Sequence, residues 1–290
     1  MPARADQTPK HRGAGCRQRL LFFAAGRAFR MSALLEIRNV GIRFGGIVAL
    51  SGVSFEVCAG EICGLIGPNG SGKTTLFNCI SGIYRPSKGD IVFNGQNLCT
   101  IARHRLAALG IGRTFQNLAL FRTMSVSENI LVGAHHFGRT GFIANALCLP
   151  RVRREEDDAQ RRLVELLELL ELAAVAAEPV ANLPFAMQKR VELARAVIGG
   201  PKLLLMDEPA GGLNHSEVDV LAELIRTLRD RFQMSILLVE HHMNLVMRIS
   251  DRVVALEFGM KIAEGSPQAV QNHPEVIRAY LGGRAHAAVA

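Results

Sequence analysis

The order of apolar and polar positions predicts an α/β protein from residue 33 onward. Up to about residue 65, short alternating runs such as Leu35, Ile37 and Val40 are separated by turn residues, which is typical of antiparallel strands. Later, continuous apolar runs such as Lys202–Met206 and Ser235–Val239 alternate with helical patterns. This alternation predicts a mostly parallel sheet that is covered by helices on both faces.

A helical pattern dominates the middle of the chain. The segment Glu155–Ala174 carries a leucine stripe at helical spacing, with acidic and arginine residues on much of the other side. The stripe consists of Leu163, Leu166, Leu167 and Leu170. We interpret it as core packing. A second helix is predicted at Arg190–Ile198.

Composition limits the class of protein. The chain has 290 residues, of which 49% are hydrophobic, enough for a sizeable core. No apolar stretch approaches the roughly 18–20 residues that a membrane-spanning helix needs. Any work on a membrane is therefore predicted to occur from the water side. The six cysteines form no C-x-x-C pair, which argues against a zinc site.

The net charge of +8 is concentrated near the N-terminus. Residues 1–30 hold seven basic residues and the acid Asp6, so six of the eight net charges belong to this segment. The basic residues are Arg4, Lys10, Arg12, Arg17, Arg19, Arg27 and Arg30. We interpret residues 1–32 as a disordered basic extension, which is absent altogether if translation begins at Met31. A targeting segment, or a contact with anionic lipid or nucleic acid, are the alternatives.

A glycine-rich segment follows the buried strand Glu61–Ile66. It consists of Gly67, Pro68, Asn69, Gly70, Ser71, Gly72, Lys73, Thr74 and Thr75, and it fits the pattern G-x-x-x-x-G-K-S/T. The glycines let backbone N–H groups cradle phosphate oxygens, and the following helix directs its positive N-terminus at the same anion. Lys73 is predicted to bind the β- and γ-phosphates and Thr74 to hold Mg²⁺. A glycine turn without a ligand is the alternative.

Two carboxylates end the apolar run Leu203–Met206. The carboxyl ends of strands in α/β sheets are where ligands bind. Asp207 is predicted to hold Mg²⁺, directly or through water, and Glu208 to act as the general base for the attacking water. The alternative is a helix N-terminus with acids placed for the helix dipole.

With these two motifs the chain resembles the ATPases of ABC transporters, and further segments match that family. Gln116 matches the glutamine loop, which implies contact with Mg²⁺ and water and a link to a helical subdomain. His241 matches the switch histidine, which implies a hydrogen bond to the γ-phosphate; His242 is the neighbouring alternative. Phe44 matches the aromatic residue that stacks on adenine, with a core phenylalanine as the alternative.

One further loop matches the segment that follows the catalytic glutamate and crosses the dimer interface in this family. It consists of Gly211, Gly212, Leu213 and Asn214. The resemblance covers Leu34 to Gly283 and is nearest to the ATPase subunits of branched-chain amino-acid importers. It is carried by segments such as Arg43–Gly46, Val239–Met243 and Pro274–Gly282.

The resemblance implies a P-loop NTPase core with a mostly parallel sheet, an N-terminal antiparallel β subdomain and a helical subdomain at about residues 120–200. The cassette would span residues 33–283, and residues 284–290 would form a tail. The implied ligands are ATP and Mg²⁺. The implied partners are a second ATPase subunit, paired permease subunits and, indirectly, a periplasmic solute-binding protein, with no nucleic acid. Such a subunit would sit peripherally on the cytoplasmic face of the inner membrane.

The family signature L-S-G-G-Q departs from its usual form. The corresponding positions are Leu183, Pro184, Phe185, Ala186 and Met187, followed by Gln188. Pro184 lacks the hydroxyl that would donate to the γ-phosphate across the dimer, and loss of one such donor costs on the order of 10²–10³ in rate. Ala186 adds a methyl group where backbone and phosphate nearly touch. We predict a working but slow ATPase. The alternative is a cassette that binds ATP, hydrolyses it poorly and works beside an intact partner in a heterodimer.

Two other functional classes fit less well. An ABC protein of nucleic acid or ribosomes would usually carry two cassettes or long coiled-coil insertions, and the chain has neither. A P-loop kinase or a simple GTPase would lack the glutamine loop and the switch histidine.

Overall fold

The computed structural model describes residues 33–114, 118–134 and 150–286. The basic extension predicted at residues 1–32 lies outside these ranges, and so does Gln116. The strands are β1 (Ala33–Phe44), β2 (Ile47–Cys58), β3 (Ile62–Ile66), β4 (Lys88–Phe93), β5 (Gln96–Asn97), β6 (Ile111–Arg113), β7 (Leu203–Asp207), β8 (Ser235–Val239), β9 (Arg252–Glu257) and β10 (Met260–Gly265).

The first strands form an antiparallel sheet in the order β2-β1-β4-β5. Strands β1 and β2 are joined by a tight turn in which Phe44 pairs with Ile47 and Gly45 has a φ of 57°. That left-handed conformation favours glycine, which the sequence supplies. The predicted N-terminal antiparallel β subdomain is therefore confirmed.

The larger sheet has the order β10-β9-β3-β8-β7-β6. Strands β9, β3, β8, β7 and β6 are parallel to one another, and β10 pairs antiparallel with β9 at one edge. This arrangement confirms the predicted α/β fold with a mostly parallel sheet. The edge strand β10 was not predicted from the sequence.

The continuous apolar runs arise because both faces of the parallel sheet are buried. In β7, Leu203 and Leu205 pack into a core shared with the antiparallel sheet, whereas Leu204 and Met206 pack into a second core with helices. Successive residues of a strand point to opposite faces, so each strand needs an apolar residue at every position.

Most of the described α-helices lie in connections between strands, and the last two follow β10. They are α1 (Lys73–Ile80), α2 (Leu106–Leu109), α3 (Val126–Val132), α4 (Pro150–Leu169), α5 (Phe185–Val197), α6 (His215–Phe232), α7 (Met243–Ile249), α8 (Pro267–Gln271) and α9 (Pro274–His286). Among the described residues, no helix has both the length and the apolar character needed to cross a membrane.

Helices α3, α4 and α5 occupy the range predicted for the helical subdomain. Leu163, Leu166, Leu167 and Leu170 are all buried, which confirms the core interpretation of the leucine stripe. The sequence placed a helical start at Arg190, but α5 already begins at Phe185. The helix begins earlier because Pro184 has the extended conformation of an N-cap, so Phe185, Ala186 and Met187 of the segment matched to the signature lie in its first turn.

Candidate functional site

The candidate site lies where three neighbouring parallel strands end. Leu65 of β3 and Asp207 of β7 both pair with Val239 of β8. The segments that leave these strands therefore emerge side by side at one edge of the sheet. They are the glycine-rich loop, the Asp207–Glu208 pair and Glu240–His242. The predicted phosphate loop and the predicted carboxylate pair are thus brought together.

The glycine-rich loop requires glycine at positions where backbone comes close to backbone. Gly67 has a φ of 151°, and a Cβ atom there would lie 2.2 Å from the carbonyl oxygen of Leu256. Gly72 has a φ of 100°, and its Cβ atom would lie 2.7 Å from the carbonyl oxygen of Ala49. In contrast, apart from its two chain neighbours, none of the residues that the structure describes has a heavy atom within 4 Å of the place where a Cβ atom of Gly70 would stand. The loop is therefore packed at both ends and open at its centre.

Lys73 is the first residue of α1, and its side chain folds back onto the glycine-rich loop. Its Nζ donates hydrogen bonds to the carbonyl oxygens of Gly67, at 2.7 Å, and Pro68, at 2.9 Å. Burial lowers the pKa of Lys73, and the negative charges of Glu208 and Asp207 oppose that effect. The ammonium group thus lies within electrostatic reach of both carboxylates. Thr74 and Thr75 follow it in the first turn of α1, with Thr74 exposed.

Asp207 is buried and lies beside the guanidinium of Arg113. Nη2 of Arg113 lies 3.4 Å from Oδ2 of Asp207, and Nη1 of Arg113 donates to Oδ1 of Asn78 at 3.0 Å. Burial raises the pKa of Asp207, whereas Arg113 and Lys73 lower it. No role for Arg113 is predicted from the sequence. Its contact with Asp207 spans 94 residues of sequence and has no local signal.

Glu208 follows Asp207 in a left-handed conformation, with a φ of 48°. Non-glycine residues in this conformation carry strain and occur often at functional sites. Nδ1 of His241 lies 3.8 Å from Oε1 of Glu208, so the favoured histidine of the pair is beside the predicted general base. The imidazole is half exposed at 49%, and its ring centroid is 4.4 Å from that of His242.

Glu240 is a fully buried carboxylate that sequence reasoning missed. Its Oε1 accepts a hydrogen bond from the backbone N–H of Ala210 at 2.8 Å. Its Oε2 accepts from the backbone N–H groups of His241 and His242 at 2.9 and 3.0 Å. Glu240 therefore joins the loop after β7 to the loop after β8. The signal was available, because an acid directly after an apolar strand had already marked Asp207.

The residues matched to the signature lie against the loop matched to the dimer interface. Gly212 has a φ of 82°, and a Cβ atom there would lie 2.9 Å from the ring of Phe185. Asn214 caps α6 by accepting from the backbone N–H of Glu217 at 3.0 Å. In α5, by comparison, Pro184 is the N-cap and provides no side-chain hydrogen bond.

Five more side chains belong to the beginning of α5. Nε2 of Gln188 donates to the carbonyl oxygen of Leu183 at 2.8 Å. Phe185 is exposed, and Nζ of the buried Lys189 lies 5.6 Å from its ring centroid. Ala186 and Met187 are partly exposed in the same first turn.

Phe44 ends β1 with an exposed ring. The side chain is 44% exposed, which disfavours the alternative of a core phenylalanine. Its ring packs edge-on against Tyr84, with 5.0 Å between the centroids. The stacking role predicted for Phe44 therefore remains sterically open.

A glycine-rich loop with a buried lysine, facing acidic residues across the ends of parallel strands, defines a P-loop nucleotide-binding domain. A family model described as "ABC transporter" matches residues 50–211, and the chain belongs to this family. A second model, described as "Branched-chain amino acid ATP-binding cassette transporter", matches residues 260–286.

Relatives and solved structures agree with this assignment. The chain is 43% identical over 249 residues to the high-affinity branched-chain amino acid transport ATP-binding protein LivG of Escherichia coli, covering 86% of this chain and 98% of LivG. It is 41% identical over 249 residues to BraF of Pseudomonas aeruginosa, with the same coverage of 86% and 98%. The ADP conformation of an ATP-binding cassette of an ABC transporter aligns with a TM-score of 0.75 at 29% identity, covering 87% of this chain and 99% of that chain.

Proposed function

We propose that the chain is the ATP-hydrolysing subunit of an importer for branched-chain or related amino acids. It would act peripherally on the cytoplasmic face of the inner membrane and drive separate permease subunits. Membership of the ABC transporter family supports the motor role. The match of residues 260–286 and the names of the relatives support the class of solute.

One observation carries the catalytic part of this proposal. Lys73, at the end of the loop after β3, and the pair Asp207–Glu208, at the end of β7, leave neighbouring strand ends of one sheet, because Leu65 and Asp207 both pair with Val239. A cation beside two carboxylates, below an open glycine loop, suits a nucleotide whose phosphates carry a metal ion.

The donor set fits a magnesium nucleotide. The open side of Gly70 leaves space along the loop for phosphate oxygens, and Lys73 provides the cation for the β- and γ-phosphates. The hydroxyl of Thr74 and the carboxylate of Asp207 would hold Mg²⁺, which prefers hard oxygen ligands. When bound, Mg²⁺ supplies charge neutralisation to the phosphates.

The protein side of the reaction is then acid–base chemistry and positioning. Glu208 would take a proton from water as the water oxygen attacks the γ-phosphorus and the bond to ADP breaks. His241, whose Nδ1 lies 3.8 Å from Oε1 of Glu208, would donate a hydrogen bond to the γ-phosphate and so keep it aligned with the carboxylate of Glu208. Gln116 would orient the same water and metal, and Phe44 would stack on the adenine.

A second cassette would complete the site. The beginning of α5, from Leu183 to Gln188, would meet the nucleotide of the partner cassette, and Gly211–Asn214 would cross the interface beside it. A slow cassette working in a heterodimer is the second candidate. It is favoured by Pro184, which caps α5 without a side-chain hydrogen-bonding group. The solute-binding protein would act through the permease, and we propose no nucleic-acid partner.

The variant Glu208→Gln tests the catalytic assignment. We expect the variant to bind ATP with unchanged affinity and to lose turnover by about 10²–10⁴-fold, because the amide no longer accepts a proton. Phosphate release and nucleotide titration measure the two effects. The exposed Glu168→Gln is the matched control and should hydrolyse ATP like the parent chain. Normal phosphate release by Glu208→Gln would contradict the assignment.

The solute is tested separately from the motor. The chain is purified with its associated proteins, and the co-purifying solute-binding protein is titrated with leucine, isoleucine and valine. Binding of these amino acids is expected. Capture of a different solute class would reject the amino-acid part of the proposal and leave the ATPase part standing.

A further inference from the structure

The C-terminal helix reaches the phosphate loop through Tyr280. The hydroxyl oxygen of Tyr280 accepts a hydrogen bond from the backbone N–H of Gly67 at 2.9 Å, across 213 residues of sequence. Tyr280 lies on α9, within the segment that matches the second family model. The proposed mechanism assigns no role to this side chain.

Both backbone polar groups of Gly67 are hydrogen-bonded to side chains. Its N–H group donates to Tyr280, and its carbonyl oxygen accepts from Nζ of Lys73 at 2.7 Å. A single residue therefore separates the phenol from the lysine predicted to bind phosphate. Because Gly67 also packs against the carbonyl of Leu256, a change in its orientation would have to move the loop.

The helix that carries Tyr280 is itself anchored. Val276 and Ala279, in the turn before Tyr280, are buried. The ion pair of the 68% exposed Arg278 with Glu257, at the end of β9, has 3.6 Å between Nη2 and Oε2 and is a surface contact that adds little to this anchoring. The phenol therefore approaches Gly67 from a fixed support.

The Tyr280 hydroxyl remains a neutral group at this position. Burial raises its pKa, and the hydrogen bond from Gly67 opposes that effect. A neutral phenol is a fixed acceptor for the loop amide and adds no charge to a site that must receive phosphates.

We propose that Tyr280 is a positioning residue that sets the phosphate loop through Gly67 and thereby aligns Lys73 for the nucleotide. The inference rests on the proposed function only in that nucleotide binds at this loop. It makes the C-terminal segment, at residues 260–286, a direct determinant of nucleotide affinity.

The test is Tyr280→Phe in the full chain, which removes only the hydroxyl oxygen. One neutral hydrogen bond corresponds to a factor of about 2 to 10 in an equilibrium constant. We therefore expect the Kd for ADP and the KM for ATP to rise about 2- to 10-fold, while kcat changes less than about 2-fold, because the loop, and not the catalytic base, is displaced. Isothermal titration and phosphate release measure these quantities.

The matched control is Arg278→Gln on the same helix. It breaks the ion pair with Glu257 and leaves the hydrogen bond to Gly67 in place, so its Kd and KM should equal those of the parent chain. An unchanged Kd in Tyr280→Phe would overturn the inference. So would a lower kcat at unchanged KM, which indicates loss of folded protein only. A parent chain that binds no ADP would instead reject the nucleotide site, and with it both proposals.

Discussion

At the scale of single residues, the site contains two buried acids that are stabilised in different ways. Burial raises the pKa of Asp207, while the guanidinium of Arg113, 3.4 Å away, and the charge of Lys73 lower it, so this acid is partnered by cations. Glu240 accepts three backbone hydrogen bonds, from Ala210, His241 and His242. Buried polar groups are tolerated only when they are paired, and both acids meet that condition. Glu240 thereby turns two separate loops into one connected unit.

Replacement of Glu240 by alanine should loosen this unit. The variant leaves three backbone N–H groups without their acceptor, so the free energy of unfolding should fall by about 1–3 kcal/mol. His241 should also lose its fixed distance to Glu208, with turnover reduced about 10- to 100-fold. Urea unfolding and phosphate release measure the two losses. A variant with full turnover would show that Glu240 does not position His241.

The site residues that could be predicted from the sequence belong to motifs of consecutive residues. Lys73 and Glu208 belong to short motifs, and the structure brings these motifs together. The partners of Gly67 and Asp207 could not be found in this way, because Tyr280 and Arg113 lie 213 and 94 residues away from them. Such contacts depend on how the sheet orders its strands, which no local pattern records.

At the scale of elements, the first turn of α5 differs from those of α3, α6 and α8. The side chains of Ser125, Asn214 and Ser266 cap α3, α6 and α8 by accepting a backbone hydrogen bond. Pro184 has the extended conformation of an N-cap but offers no acceptor. The helical pattern in the sequence predicted the start of this helix at Arg190, five residues too late. The first backbone N–H groups of α5 therefore have no side-chain cap. This arrangement leaves them available to bind the phosphates of a nucleotide held by a second cassette.

The methyl group of Ala186 should hinder that contact. We expect Ala186→Gly to raise turnover, since relief of about 1 kcal/mol in the transition state corresponds to about a 5-fold increase. Glycine should also lower the free energy of unfolding by about 0.5–1 kcal/mol. Ala196→Gly, near the end of the same helix, controls for that loss and should leave turnover unchanged. An unchanged rate in Ala186→Gly would mean that the methyl group is harmless.

At the scale of the whole molecule, the antiparallel and parallel sheets share a core and an ion-pair network. Apolar residues from both sheets, such as Phe55 and Leu65, belong to one buried cluster. Outside this apolar cluster, Arg252 of β9 contacts Glu61 beside β3, Glu264 of β10 and the carbonyl oxygen of Glu56 in β2. The phosphate loop leaves β3 between these sheets, so its support depends on both.

The ion pair between Arg252 and Glu61 leads to a prediction about the stability of the fold. Nε and Nη2 of Arg252 donate to the two carboxylate oxygens of Glu61 at 2.6 and 2.9 Å; Glu61 is buried, and the side chain of Arg252 is only 12% exposed. Arg252→Met would leave the carboxylate of Glu61 buried without its cation, so we expect a loss of about 3–5 kcal/mol in the free energy of unfolding.

The double variant Arg252→Met, Glu61→Gln removes this unpaired buried charge. The amide oxygen of the new glutamine can still accept the hydrogen bond that the backbone N–H of Cys58 donates to Glu61 at 2.6 Å. The double variant should recover at least about 1 kcal/mol relative to the single variant, by the same reasoning. Urea unfolding measures both, with the exposed Arg161→Met as the control expected to stay within about 0.5 kcal/mol of the parent. If Arg252→Met were as stable as that control, the two sheets would be joined by their apolar core alone, and the charged network would be incidental to it.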